Sequence, residues 1–188
     1  MMWQSVAVFC GSKTGNNNLF VQHARETGLL IASRGITLIY GGGKNGLMGI
    51  VADTVLQQGG TVVGVIPEML NEKEHQHETL TALHIVEDMH ARKKLMYELS
   101  DAAIILPGGY GTMDELFEMI TWNQLNIHDK KIVLLNSDGY YDHLIAHIDR
   151  MQEENFLYED SLKSLLIIPD SQALASLMDE DKNHSLPE

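Results

Sequence analysis

Lysine and arginine are scarce in this chain: 13 of 188 residues, against 26 aspartates and glutamates, for a net charge of −13. Nucleic acids and anionic membranes bind through basic patches, so a surface this negative argues against either as a partner. Any phosphate site must then be local, built from backbone amides and one or two cations. Cysteine is limited to Cys10. No internal disulfide can form, which fits a reducing cytoplasm. No apolar run approaches the roughly 18 residues that a membrane span needs. The start, MMWQSVAVFCGS, lacks a basic leader and reads as a buried first strand, not a signal peptide. The nine histidines make no metal-ligand spacing and H-E-x-x-H does not occur, so no metal is expected.

What the chain does have is enough apolar residues, 44%, for one sizeable core. They fall into alternating strand and helix patterns. SVAVFC (5–10), ITLIY (36–40), TVVGVI (61–66), LHIVE (83–87), DAAIILP (101–107), KIVLLN (131–136) and SLLIIP (164–169) read as strands. Helical segments follow at 19–35, 47–60, 88–100, after the glycines at 108–111, at 140–155 and from Ser171. Near-continuous apolar strands between amphipathic helices predict a mostly parallel sheet covered on both faces. Right-handed crossovers make it doubly wound, a single Rossmann-like α/β domain over 1–178. EMLNEKEHQHETLTA (68–82) has no clear pattern, and the last ten residues, DEDKNHSLPE (179–188), read as a disordered tail.

In such sheets ligands bind beyond the carboxyl ends of the strands. Four loops lie on that edge: CGSKTG, YGGGKNGLMG, EDMHARK and LPGGYGT. GGGKNG carries the G-x-G-x-x-G spacing at Gly41, Gly43 and Gly46. It follows the second strand, not the first, and no acidic residue closes the next strand, so a bound dinucleotide is disfavoured and a phosphate role is the expectation. The alternative is a tight turn with close helix–sheet packing. PGGYGT is the stronger candidate. Gly108, Gly109 and Gly111 permit close backbone approach and positive φ, and Thr112 stands where an N-cap would, with amides behind it for an anion. Thr112 and Glu115 also match a capping box, in which the glutamate only satisfies a backbone N–H. Arg92 can be read as an exposed partner of Asp88 at i,i+4, or as a cation placed beside an anionic ligand. Further candidate contacts at this edge are Ser12, Gly43 and Met89, with methionine available as an adaptable lining.

GGGKNGLMG, DMHARK, LPGGYGTMDELFE and ITWNQLNIHDKKIVLLNSDGYYDHL, in this order, resemble the LONELY GUY (LOG) family, phosphoribohydrolases of cytokinin riboside 5'-monophosphates. Many bacterial members carry the label lysine decarboxylase. The resemblance runs from about Val6 to Ile168. It implies a Rossmann-like homodimer that needs no cofactor and hydrolyses the N-glycosidic bond of a nucleoside 5'-monophosphate, releasing adenine or an N6-substituted adenine. The family's catalytic pair maps to Arg92 and Glu115. Its substrate contacts map to Lys93, to Gly108, Gly109, Tyr110, Gly111 and Thr112, to Thr121, and to Glu74 in the long loop. Asp114 stands where many members have glutamate.

Such a reaction passes through an oxocarbenium-like transition state. The expectation is that glycine amides and Arg92 hold the phosphate while Glu115 faces the ribose. Two other classes stay open: a nucleotide-binding sensor or carrier without turnover, and a nicotinamide oxidoreductase suggested by the Gly41–Gly46 spacing. The helix after Gly111 is apolar around more of its circumference than one core-facing stripe requires, which predicts a dimer contact there.

Overall fold

The computed structural model describes residues 3–71, 76–158 and 163–183. Seven strands form one sheet: β1 (Ser5–Phe9), β2 (Thr37–Tyr40), β3 (Val62–Pro67), β4 (Ala82–Val86), β5 (Ala102–Ile105), β6 (Lys131–Leu135) and β7 (Leu165–Ile168). Every pairing is parallel, in the order β4-β3-β2-β1-β5-β6-β7. The helices between them are α1 (Asn18–Ser33), α2 (Gly46–Gln57), α3 (Glu68–Asn71), α4 (Met89–Glu98), α5 (Tyr110–Gln124), α6 (Asp142–Glu153) and α7 (Ser171–Asn183). The final helix therefore continues past residue 178, and 184–188 of the expected tail lie outside the described residues.

The central strands are buried on both faces, and their period of two sorts side chains between two cores. Val6, Val8, Leu38, Val62 and Ile104 pack under α1, α2 and α7. Ala7, Phe9, Ile39, Val65, Ile105 and Leu134 pack under α4, α5 and α6, against Met96, Tyr97, Leu116 and Met119. No helix among the described residues is long and apolar enough to cross a membrane.

The strand order positions the site. The chain winds outward from β1 to β4, then returns to lay β5 against the other side of β1. Two neighbouring strands whose connections leave in opposite directions open a crevice at their carboxyl ends. Here that crevice lies between the loop after Phe9 and the loop after Ile105, CGSK and LPGG.

Candidate functional site

The helix N-termini along this edge differ in how their amides are used. Asn17 caps α1, its side chain accepting from the Leu19 amide at 2.9 Å. Asp88 caps α4 through the Ala91 amide at 2.8 Å. On α2 the Leu47 and Met48 amides both donate to the Gly11 carbonyl, at 3.0 and 3.4 Å. Only α5, of these four, keeps a start without a capping side chain or a loop carbonyl among the described residues. Its N-cap is Gly109.

GGGKNG has two of its helix amides, those of Leu47 and Met48, taken by the neighbouring loop, which favours the alternative of a tight turn with close packing over a phosphate cradle. Its glycines make room instead. A Cβ on Gly41 would lie 2.0 Å from Arg92 Nη2, and one on Gly46 would lie 2.2 Å from the Ser12 carbonyl carbon. Gly43 is buried and bridges to Gln76. The capping box fails. The helix begins at Tyr110, so Thr112 is already inside it and buried, and Glu115 has no N-cap threonine to reciprocate.

Nor do the PGGYGT glycines adopt positive φ. Gly108 is needed for packing: a Cβ there would meet Thr112 Oγ1 at 2.1 Å and the Gly11 amide at 3.0 Å. Gly109 and Gly111 are different. A Cβ on either would meet nothing within 4 Å. Neither φ nor internal packing demands a glycine at these positions, and both border open space beside the uncapped helix end. Tyr110 between them is 97% exposed. A cavity of about 260 Å³ opens here, lined by Ser12, Lys13, Phe20, Gly108, Gly109 and Tyr140 among others.

Arg92 is not an exposed surface group. It is 5% exposed, with Nε donating to the Val65 carbonyl at 3.1 Å and Nη2 to the Gly41 carbonyl at 2.9 Å. Its Nη1 lies 3.8 Å from the Met89 sulfur. The guanidinium is thus fixed at the ends of β2 and β3 as a permanently charged, oriented group. Glu115 is half-buried one turn into α5. The Cys10 thiol is raised far above its ordinary range by burial and then by the Glu115 charge, which places that carboxylate at the end of β1.

Lys93 faces α5. Its buried amine bridges Asp114 Oδ2 and Glu118 Oε2, each at 3.0 Å. Burial pulls its pKa down, but the two carboxylates outweigh that and hold it above the ordinary lysine value. The buried Tyr97 hydroxyl joins the network, donating to Glu118 Oε2 at 3.0 Å and to the Glu115 carbonyl at 3.3 Å. Lys93 therefore ties α4, which carries Arg92, to α5, which carries Glu115. Thr121 lies on the outer side of α5, its hydroxyl turned back to the Phe117 carbonyl at 2.7 Å. It shares a shallow groove with Tyr110, Met113, Asp114, Phe117, Glu118 and Trp122. Eleven residues of helix place Thr121 about 16 Å from Tyr110. Glu74 lies outside the described residues.

The family profile described as "Possible lysine decarboxylase" matches residues 48–178. A rice (Oryza sativa subsp. japonica) protein named "Probable cytokinin riboside 5'-monophosphate phosphoribohydrolase LOGL1" is 49% identical over 93% of this chain and 78% of its own length. The Arabidopsis thaliana cytokinin riboside 5'-monophosphate phosphoribohydrolase LOG1 is 43% identical over 95% of this chain and 84% of its own. The chain belongs to the LOG family. Among solved structures, the molybdenum cofactor carrier protein of Chlamydomonas reinhardtii superposes with a TM-score of 0.71 at 18% identity, covering 94% of this chain and 96% of that one. The molybdenum cofactor binding protein of Rippkaea orientalis gives 0.71 at 21%, covering 97% and 99%. At that identity the likeness is one of fold. The decarboxylase description does not fit the described lysines of this LOG-family chain. Such an enzyme holds pyridoxal phosphate on a neutral, nucleophilic lysine. Lys93 is buried but kept charged by two carboxylates, and Lys44 is exposed. Lys130, whose pKa is lowered by burial, stands just before β6, at the sheet edge opposite the glycine loops, and donates to the Tyr97 carbonyl.

Sequence reasoning missed Tyr140 and Tyr141. The first donates to the Gly108 carbonyl at 2.6 Å and the second to the Leu106 carbonyl at 2.7 Å. The available signal was their place: they follow β6 on the same carboxyl edge, behind the turn-forming NSDG.

Proposed function

We propose that this protein hydrolyses the N-glycosidic bond of adenine, or N6-substituted adenine, riboside 5'-monophosphates, giving free base and ribose 5-phosphate. Relatives at 43–49% identity bear the name of that activity. The observation that carries the reading is the uncapped start of α5, with Gly109 and Gly111 opening onto free space at the switch point of the sheet. A phosphate fits such amides without a lysine.

The reaction develops positive charge on the ribose while the phosphate stays anionic. Glu115, on the first turns of the same helix, is the group to stabilise that charge and orient the attacking water. Water adds its oxygen to the anomeric carbon, and its proton leaves toward the base. Arg92 contributes fixed cationic charge and cannot serve as an acid. Lys93 acts through the α4–α5 link described above, and the base runs from the glycine loop along the α5 groove toward Thr121.

The same groove favours a homodimer. Leu116 and Met119 bury one side of α5, yet Phe117 stays partly exposed, Leu125 is 63% exposed and, just beyond, Ile127 is 59% exposed. A second copy placed there would cover this surface and wall the base pocket. The single buried thiol suits a cytoplasmic setting.

Chromatography after incubation with AMP, a prenylated analogue and NADH tests the assignment. Release of adenine or its prenylated form is the expected result. Tight binding without product would make the protein a carrier module, and hydride transfer would make it an oxidoreductase.

A further inference from the structure

The loop between β5 and α5 is held by its carbonyls. The Leu106 carbonyl accepts from the Tyr141 hydroxyl at 2.7 Å, the Pro107 carbonyl from the Gly11 amide at 3.0 Å, and the Gly108 carbonyl from the Tyr140 hydroxyl at 2.6 Å. A trans peptide is planar, and its C=O and N–H point in opposite directions. Fixing the Gly108 carbonyl therefore also fixes the direction of the Gly109 N–H. This peptide needs such a tether more than its neighbours do. It joins two glycines, the residues that most readily tolerate rotation of the peptide plane. Rotated, it would present a carbonyl where an anion is to bind.

Tyr140 is itself braced. Its ring packs edge-on against Phe20 of α1, with centroids 5.3 Å apart, and against Tyr141 at 4.8 Å. The turn before it has two left-handed residues, Asp138 and Gly139. That turn is pinned to α1 by Asn17 Nδ2 donating to Asp138 Oδ2 at 2.7 Å and by the buried contact of His23 Nδ1 with Ser137 Oγ at 2.7 Å. A half-exposed tyrosine is thus held over the cavity with its hydroxyl committed to one backbone carbonyl of the glycine loop.

We propose that Tyr140 is a positioning residue for phosphate recognition: it locks the Gly108–Gly109 peptide so that the Gly109 amide, not the Gly108 carbonyl, is offered to the 5'-phosphate. The proposal rests on the phosphoribohydrolase reading for its ligand. Phe20 and the turn around Ser137 support it at one remove.

The test is Tyr140→Phe, which keeps the ring and its contacts with Phe20 and removes only the hydroxyl. Binding of ribose 5-phosphate and of adenine is measured by calorimetry, with no turnover required. The expected result is a loss of about fivefold or more for ribose 5-phosphate, the scale of one hydrogen bond, with adenine unchanged. Equal affinities in parent and variant, or equal losses for both ligands, would overturn the role of Tyr140. A parent that binds ribose 5-phosphate while Tyr140→Phe behaves identically leaves the hydrolase reading standing and removes this one. A parent that binds neither ligand removes both. The Gly109 amide resonance gives a second readout: it should shift on adding ribose 5-phosphate to the parent and shift less in the variant. A parent resonance that ignores the ligand contradicts the proposal even if Tyr140→Phe fails to fold.

Discussion

At the scale of single residues, Glu115 is the most informative position. A glutamate three residues after a threonine at the start of a helix invites the capping explanation. That explanation is lost because the helix starts two residues before Thr112. Glu115→Gln should therefore lose roughly a hundredfold in kcat, the scale of removing one positioned charge, with its melting temperature retained. Near-parent turnover in a folded variant would show that the carboxylate does no chemistry. Arg92 needs a different design from the one its sequence neighbours suggest. Because it is buried on two carbonyls, Arg92→Ala strands both acceptors at about 1–3 kcal/mol each and should lower stability as well as activity. Gly41→Ala probes the same guanidinium without removing it. The new methyl would sit 2.0 Å from Nη2 and must push the side chain aside. A loss on the order of a hundredfold, typical of a misplacement of about 1 Å, is expected in steady-state kinetics. Unchanged kinetics would mean that the arginine's position is immaterial.

At the scale of elements, α5 carries the anion amides at its start, Glu115 on its first turns and the exposed apolar groove beyond. Its far end is locked by aromatic packing. Trp122 and Tyr97 pack edge-on at 5.0 Å, and His128 joins them, bonded through Nδ1 to Asn123. Burial, and then the nearby Lys130 charge, lower the pKa of His128 below its ordinary 6.5. The folded state thus resists a proton that the unfolded state accepts, so stability should fall as pH drops below about 6.5 and level off once pH passes the lowered value. Thermal melts from neutral pH to about pH 5 should show a smaller decline in His128→Gln than in the parent. Identical declines would acquit this histidine. Every strand and long helix of the sheet could be read from apolar runs and glycine stops, because local pattern dictates those elements. The uses of the glycine loops could not. Which helix amides stay available depends on long-range contacts, Gly11 with α2 and Tyr140 with Gly108, and no local spacing records them. The burial of Arg92 was hidden for the same reason: its partners, Gly41 and Val65, lie far away in the chain.

For the whole molecule, the strand order joins these parts into one site. The return of the chain to β1 places CGSK beside LPGG, and α4 and α5 then bring Arg92 and Glu115 to the same edge. The described residues leave the outer groove of α5 uncovered, so sedimentation equilibrium at micromolar concentration should give twice the 21.0 kDa chain mass. Phe117 and Leu125, both exposed, are the residues to make charged together; Trp122 is needed by the core. A double variant that stays dimeric would place the interface elsewhere. Sheet, cavity and charge distribution meet in one claim: the phosphate end of the ligand is bound so that the bond at its ribose can be broken. The most direct measurement compares kcat/KM for AMP and adenosine, with adenine quantified as product. AMP should be preferred by a factor of about a hundred or more, because binding energy from the remote phosphate is expressed at the reacting bond. Equal values for the two substrates, or no adenine from either, would contradict it.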